Sequence, residues 1–389
     1  MKSRAAVLHG VGEDWDVTTI DIDPPRTGEV LVKMAIAGVC HSDDHFSTGD
    51  SVPDDNMVAA MTAAGMPVPE WFPLLGGHEG AGVVEEVGPG VTTLNPGDHV
   101  AVSFLPTCGR CRWCATGSTF LCDVGEHMFS KNMITDGTPR RHLGGEDLMA
   151  MMQVGTFSEY VVASERSLIK IHDWIALEAA SLVSCGVTTG FGSGSVSAGT
   201  KPGDTVVVIG IGGVGMNAVQ GARAAGAKYV VAVDPVDFKR DVAPSFGATH
   251  TVPDAAAALE LVKEITWGAM ADAVIITVGV VDTGLVPLAM MLIGKGGTCV
   301  MTAMTPISEM NVPMILADMV NSCKTLKGSL YGEMNPRASM PMLLSMYEAG
   351  DLKLDELITR RYQLDEINDA IKHLRDGRNI RGVIDFTSA

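Results

Sequence analysis

Positive charge is scarce in this chain. Lys and Arg number 28 against 46 Asp and Glu, a formal net charge of −18 over 389 residues. Such a surface repels phosphate backbones and anionic headgroups, so neither nucleic acid nor membrane is an expected partner. Long apolar runs are missing too. Nothing approaches the ~20 residues that span a bilayer. The opening "MKSRAAVLHGVGEDWDV" turns acidic before a secretory apolar core develops. The expected location is the cytoplasm, where thiols stay reduced. No solenoid-type repeat recurs. Aromatics are few, at 5%, whereas Gly is plentiful at 44 residues and the hydrophobic fraction is 46%. That mixture excludes a disordered chain and suits an α/β protein rich in tight turns. The length points to two cores.

Residues 1–170 read as mostly β. Short apolar segments such as "EVLVKMAIAGVC" and "GAGVVEEVG" alternate with turn signals, including "GPG" and "NPGDHV". The texture changes after Pro202. "DTVVVIG", "KYVVAVD", "DAVIITVG" and "GGTCVMTAM" read as buried strands, with helical spacing between the first two in "MNAVQGARAAGA". Strands alternating with helices imply a parallel sheet. Beyond residue 330 the chain reads as helical up to the strand-like "RGVIDF", which is expected to return to the first domain. Two Met-, Gly- and Pro-rich stretches, 49–73 and 125–155, read either as irregular packing or as walls of a substrate channel.

Four of the eight cysteines fall in "PTCGRCRWCATGSTFLC", at Cys108, Cys111, Cys114 and Cys122. Thiols gathered on one loop of a reduced protein are metal ligands more often than disulfides. The spacing suits a closed tetrahedral zinc site with a structural role. A ferredoxin-type cluster would place its fourth Cys after three residues and before Pro. Here the gap is seven and Asp123 follows.

Cys40, His78 and Cys185 form a second set. Two thiolates and one imidazole leave a fourth position open, a pattern of catalytic zinc. Asp43 can accept the second N–H of the His78 ring, and Glu79 adjoins it. Alone, Ser42 reads as a capping residue and His45 as a surface histidine. Beside a metal-bound alcohol, Ser42 can take a proton and His45 can carry it outward. Thr189 is a further polar group near this set. Cys299 and Cys323 read as core thiols.

"GIGGVG", from Gly210 through Gly212, Gly213 and Val214 to Gly215, follows a strand and opens a helix. Its glycines let the backbone approach a pyrophosphate at the helix N-terminus. Asp234 ends the next strand, where a carboxylate accepts from the ribose hydroxyls and disfavours a 2′-phosphate; NAD(H) is the expected cofactor. Lys239 and Arg240 either flank that ribose or form a solvated helix face. Pro244 is expected to bend or shorten their helix.

Together "GVCHSDDH", "GGHEGAGVVEEVG", "NPGDHV", the cysteine lobe, "SCGVTTGFG", "GIGGVG" and "NIRGVIDF" resemble the zinc-dependent medium-chain alcohol dehydrogenases over nearly the whole chain. The "RRHLGGEDLMAMMQVGTFSEY" stretch and the long first insert are similar to an actinobacterial, nitrosodimethylaniline-dependent subgroup. The resemblance implies an α/β fold: a GroES-like β-rich catalytic domain (1–186, zinc lobe 106–123, completed by 331–389) and a Rossmann doubly wound parallel-sheet cofactor domain (187–330). It implies two zinc ions per chain and NAD(H), with a small alcohol or aldehyde as substrate. It places Ser42 and His45 in a proton relay, Thr189 near the nicotinamide, His41 and Arg381 at the pyrophosphate, and Lys239 at the ribose. It also implies a homodimer or homotetramer. In the subgroup, tightly bound NAD is recycled by an acceptor such as mycofactocin. A thiol-adduct formaldehyde dehydrogenase and a non-catalytic NAD-binding homologue are the alternative readings.

Overall fold

Residue Lys33 is the one exposed position in an otherwise buried eleven-residue strand, Glu29–Val39. A run with no solvated face belongs in the middle of a sheet, and this strand lies there. It pairs antiparallel with Glu79–Val87, Tyr160–Ser164 and the C-terminal strand Arg381–Asp385. The sheet continues through His99–Val102 to Leu168–Lys170 on one side and through Ile358–Tyr362 on the other. A second sheet orders Glu146–Asp147, Arg141–Leu143, Asp16–Ile22, Lys2–Leu8, Leu74–Leu75 and Met149–Ala150. The computed structural model describes residues 1–388. These two sheets form one compact unit, Met1–Cys185 together with the chain from Asn335 onward. The expected return of "RGVIDF" is seen in the pairing of Val383 with Gly38.

The second compact unit is Gly186–Met334. Its six strands are parallel, in the order His250–Val252, Tyr229–Val233, Thr205–Ile209, Ala271–Ile276, Ile293–Met301, Thr325–Gly328. Numbered along the chain this is 3-2-1-4-5-6, the dinucleotide-binding order. Every residue of Thr205–Ile209 is buried, as helices on both faces require. The helix after Asp234, Asp237–Val242, ends before Pro244 and continues as a 3₁₀ turn, Ala243–Phe246. Pro244 shortens it as expected. The missing N–H leaves no α-type bond to continue the helix.

Several expectations need correction. The strand Ile358–Tyr362 lies in what read as a helical tail; three of its five residues are exposed, so it carries no apolar alternation. Segment 125–155 contains three strands of two or three residues, too short to show a period. Cys299 is buried in its strand, where desolvation pushes the thiol up to about 12. Cys323 is not a core thiol. It is exposed, with φ +51°, in the turn before Thr325–Gly328. Among the described residues no helix is long and apolar enough to cross a membrane.

The C-terminal strand is the keystone of the first unit, and Val383 is fully buried within it. Val383→Asp is expected to lower stability by ~3 kcal/mol or more, because it buries an unpaired carboxylate. Thr387→Asp, on the exposed tail, is expected to be neutral. Urea unfolding of both variants checks this.

Candidate active site

Three chain turns converge where the central strand ends. Cys40 follows Glu29–Val39 and caps the helix His41–Thr48 with extended backbone (φ −126°, ψ 154°). His78 immediately precedes Glu79–Val87. Cys185 follows the helix Leu177–Val183. Cys40, His78, Glu79 and Cys185 each present a donor atom within 4.8 Å of the others, and all four are buried. The register that pairs Gly38 with Glu79 and Gly382 with Val39 creates the convergence.

Asp43 fixes the imidazole. Its Oδ1 lies 3.3 Å from His78 Nδ1 and accepts from Gly77 N at 2.9 Å. Its Oδ2 accepts from Cys40 N at 3.3 Å, a capping-box bond that also closes the helix start. The ring therefore turns Nε2 inward, and among the described residues that buried atom has no hydrogen-bond partner. A buried nitrogen without a partner is costly unless something accepts its lone pair. Two thiols stand beside it, a donor set that suits Zn²⁺. The residues present fit the metal.

The electrostatics agree with a cationic occupant. The Cys185 thiol, then His78 and Arg381, hold Cys40 well below the ordinary thiol range against the opposing effect of burial. Cys185 moves well above it, through Cys40 and through burial. Burial opposes charge on His78, but Asp43 and Cys40 together outweigh it and raise the imidazole. Burial raises Glu79 to about 8, although Arg381 pulls it down.

Arg381 binds the Glu79 carboxylate, and both side chains are buried. Sequence reasoning named each residue but not the pair, which spans 302 positions with no local signal. Gly38 makes room for it: a Cβ there would lie 2.2 Å from Glu79 Oε2. Glu79 Oε1 has no hydrogen-bond partner.

The neighbouring helix carries the other polar candidates. Ser42 Oγ lies 3.8 Å from Cys40 Sγ. His45 is buried, with Nδ1 3.5 Å from Asp50 Oδ2, and its ring centroid is 6.3 Å from that of His41. On the same helix Phe46 meets Trp71 and Phe129 at centroid distances of 5.5 and 5.7 Å. The two Met-rich stretches thus meet across one aromatic trio. Segment 125–155 is anchored by a buried pair, Arg140 with Glu29, at 2.7 and 2.8 Å.

The cysteine lobe forms a second cage. Its four sulfurs lie within 4.8 Å of one another, with Cys108–Cys114 and Cys111–Cys122 both at 3.9 Å. A tetrahedron with ~2.3 Å zinc–sulfur bonds has edges of about 3.8 Å. Backbone N–H groups of Cys108, Arg110, Cys111 and Cys114 point at sulfurs from 3.3–3.5 Å. That arrangement favours thiolates and brings Cys108 down to about 6, while burial lifts Cys114 to about 12.

In the second unit, the glycine turn leads from Thr205–Ile209 into the helix Gly213–Ala224. Gly210 has φ +87°, and a Cβ on Gly215 would lie 1.9 Å from the Gly210 carbonyl. A Cβ on Gly212 would meet nothing, so the backbone there stays open to a ligand. Asp234 is buried, and its oxygens accept from Ile211 N (3.0 Å) and Val236 N (2.9 Å). Lys239 is buried too, and Arg240 donates to the Asp234 carbonyl, so neither forms a solvated face. Thr189 lies on the helix Gly186–Gly192.

A thiolate–imidazole cage in one unit and a dinucleotide-type turn in the other define a metal-dependent, nicotinamide-linked oxidoreductase. Residues 26–173 match the alcohol dehydrogenase GroES-like domain, and residues 213–349 match the zinc-binding dehydrogenase domain. The chain is 49% identical to an NDMA-dependent alcohol dehydrogenase of Amycolatopsis methanolica, over 99% of each chain. It is 45% identical to alcohol dehydrogenase B of Mycobacterium tuberculosis, over 100% of this chain and 99% of that one. A zinc-binding alcohol dehydrogenase structure from Burkholderia ambifaria superposes with a TM-score of 0.87 at 28% identity, covering 99% of both. The chain belongs to the zinc-binding, medium-chain alcohol dehydrogenase family. It is an oxidoreductase that works with zinc and NAD(H).

Glu79→Leu is expected to cost ~3–5 kcal/mol, because it leaves the Arg381 guanidinium buried without its counter-charge. Glu79→Leu with Arg381→Met should recover most of that loss. A double-mutant cycle by urea unfolding measures the coupling; additive losses would contradict it.

Proposed function

We propose that Cys40, His78 and Cys185 hold a catalytic zinc and that Cys108, Cys111, Cys114 and Cys122 hold a structural one. The observation that carries this is the buried His78 Nε2, partnerless and facing two thiols. Four thiolates close the structural site, whereas three protein ligands leave one position for substrate. When bound, zinc supplies Lewis acidity toward an alcohol oxygen and the nicotinamide supplies the hydride acceptor.

The chain's own groups do the rest. Asp43 keeps the ring nitrogen's lone pair aimed at the cage. Arg381 engages Glu79 and holds that carboxylate back from the fourth position. The Ser42 hydroxyl takes the alcohol's proton, and His45 passes it outward, with the Asp50 carboxylate 3.5 Å behind its ring. Gly210–Gly215 and the helix start receive the pyrophosphate; the pyrophosphate role that the resemblance implies for Arg381 is set aside, because its guanidinium is buried against Glu79. Asp234 and Lys239 address the adenosine ribose, and Thr189 faces the nicotinamide. The buried Asp234 carboxylate supports NAD(H) over the phosphorylated form.

The substrate is a small primary or secondary alcohol, and the bound nucleotide is recycled in place by an external acceptor such as mycofactocin. The NDMA dependence named for the Amycolatopsis relative supports this reading. A cytoplasmic homodimer or homotetramer is the proposed form. Support comes from the exposed apolar side chains Met310, Ile315, Leu316 and Val320, which precede the edge strand Thr325–Gly328 in the chain.

Metal analysis of the purified protein is expected to give two zinc ions per chain, one for each cage. His78→Ala should remove one of them and abolish alcohol oxidation, a drop of ~10³-fold or more if catalysis needs the Lewis acid. Full turnover in a variant that has lost that zinc would overturn the assignment. Denaturing the parent should release NAD(H), and an artificial acceptor should raise alcohol turnover above that with added NAD alone.

A further inference from the structure

The helix Gly186–Gly192 does not end at Gly192. It runs on as a wider π-type turn, Ser193–Ser197, with Ser193 and Ser197 both buried. Such turns interrupt helices mostly at functional sites. Here the turn carries a chain of hydroxyls. Ser193 Oγ donates to the Thr189 carbonyl at 2.7 Å. With its one proton committed, it must accept from its other neighbours, Thr302 Oγ1 at 2.9 Å and Ser329 Oγ at 3.4 Å. Ser329 also lies 2.8 Å from Ser197.

Thr302 immediately follows the strand Ile293–Met301, and Ser329 immediately follows Thr325–Gly328. Both stand at the carboxyl ends of parallel strands, the edge where open α/β sheets bind their ligands. Gly210 occupies the same edge after Thr205–Ile209.

The loop beyond Ser329 is strained. Tyr331, Gly332 and Glu333 have φ of +57°, +63° and +57°. Two non-glycine residues in this region cost ~1–3 kcal/mol each, and such strain persists only when neighbours over-determine it. Gly332 sits so close to the helix that a Cβ would lie 2.6 Å from Gly192 Cα, and Lys327 pairs with Glu333 at 2.7 Å. The hydroxyl chain, buried at Ser193 and Ser197 and half-buried at Thr302 and Ser329, is the polar part of the same fastening.

We propose that Ser193 is a positioning residue for the dinucleotide. Its hydroxyl ties the loops after the last two strands to the helix that carries Thr189, and this sets how firmly the nicotinamide end of the cofactor is held. The inference rests on the reading that the second unit binds NAD(H). A cradle fixed before binding loses less freedom on binding, and loosening it acts chiefly on release.

The test reduces the nucleotide already held by the full-length protein to NADH in place, with excess primary alcohol, and follows its slow release by nicotinamide fluorescence during a chase with excess NAD⁺. The parent is compared with Ser193→Ala, Ser329→Ala and Ser195→Ala, and the thermal midpoint of each nucleotide-free chain is measured alongside. Ser195 serves as the control, because among the described residues its hydroxyl bonds only the Phe191 carbonyl of its own helix, at 2.6 Å. Ser193→Ala and Ser329→Ala are expected to release NADH about tenfold faster, equivalent to ~1.4 kcal/mol, with midpoints unchanged. Ser195→Ala should release at the parent's rate. If Ser193→Ala fails to fold, the half-buried Ser329 variant decides. Parental release rates in both ladder variants would overturn the proposal, as would faster release that only accompanies a lowered midpoint. A parent that releases no NAD(H) on denaturation and takes up no added NADH would instead refute the reading of the second unit, and the parent sample alone reveals that.

Discussion

Two thiols, an imidazole and a carboxylate share 4.8 Å of buried space, and that crowding is the constraint on which the rest of the first unit depends. Taken without a cation the groups oppose one another: where Cys40 gives up its proton easily, Cys185 holds its own more tightly. Burial makes each charge costly, and a single guanidinium, Arg381, is already committed to Glu79. A divalent ion resolves the conflict, because thiolates and neutral imidazole are the forms it binds. Metal affinity should therefore fall with pH as protons compete for the sulfurs.

The fold is arranged to bring these groups together and keep them oriented. The long central strand delivers Cys40, its antiparallel partner begins at Glu79, and the C-terminal strand supplies Arg381 beside both. Asp43 then turns the His78 ring, since one carboxylate accepts from the imidazole and from two backbone N–H groups at once. Arg375 from the helix Ile367–Arg375 binds Asp44 and Ser47, so the helix bearing Ser42 and His45 is itself pinned. The cofactor unit uses the same economy. Contacts within the protein require glycine at Gly210 and Gly215, whereas at Gly212 a Cβ would meet nothing.

Much of this was legible in the sequence because the chemistry there is local. The cysteine lobe is a spacing, the glycine turn is a strand–turn–helix pattern, and Cys40 with Ser42, Asp43 and His45 lies on one short helix. What was not legible is what folding alone brings together. The Glu79–Arg381 pair and the link from Ser193 to Thr302 and Ser329 join residues far apart in the chain, and no local pattern marks them. The strand Ile358–Tyr362 has its three middle residues exposed, and the strands of segment 125–155 are only two or three residues long, too few for an alternation to show. Cys323 misled for a related reason: the general tendency of free cysteine to be buried does not fix which way a tight turn faces.

X-ray absorption at the zinc edge of the purified protein tests the central claim most directly. Two distinct cages imply an average first shell of about three sulfurs and one nitrogen or oxygen per zinc, and replacing His78 with Ala should shift the remaining metal toward an all-sulfur shell. An all-sulfur shell in the parent, unchanged by that substitution, would mean that Cys40, His78 and Cys185 hold no metal.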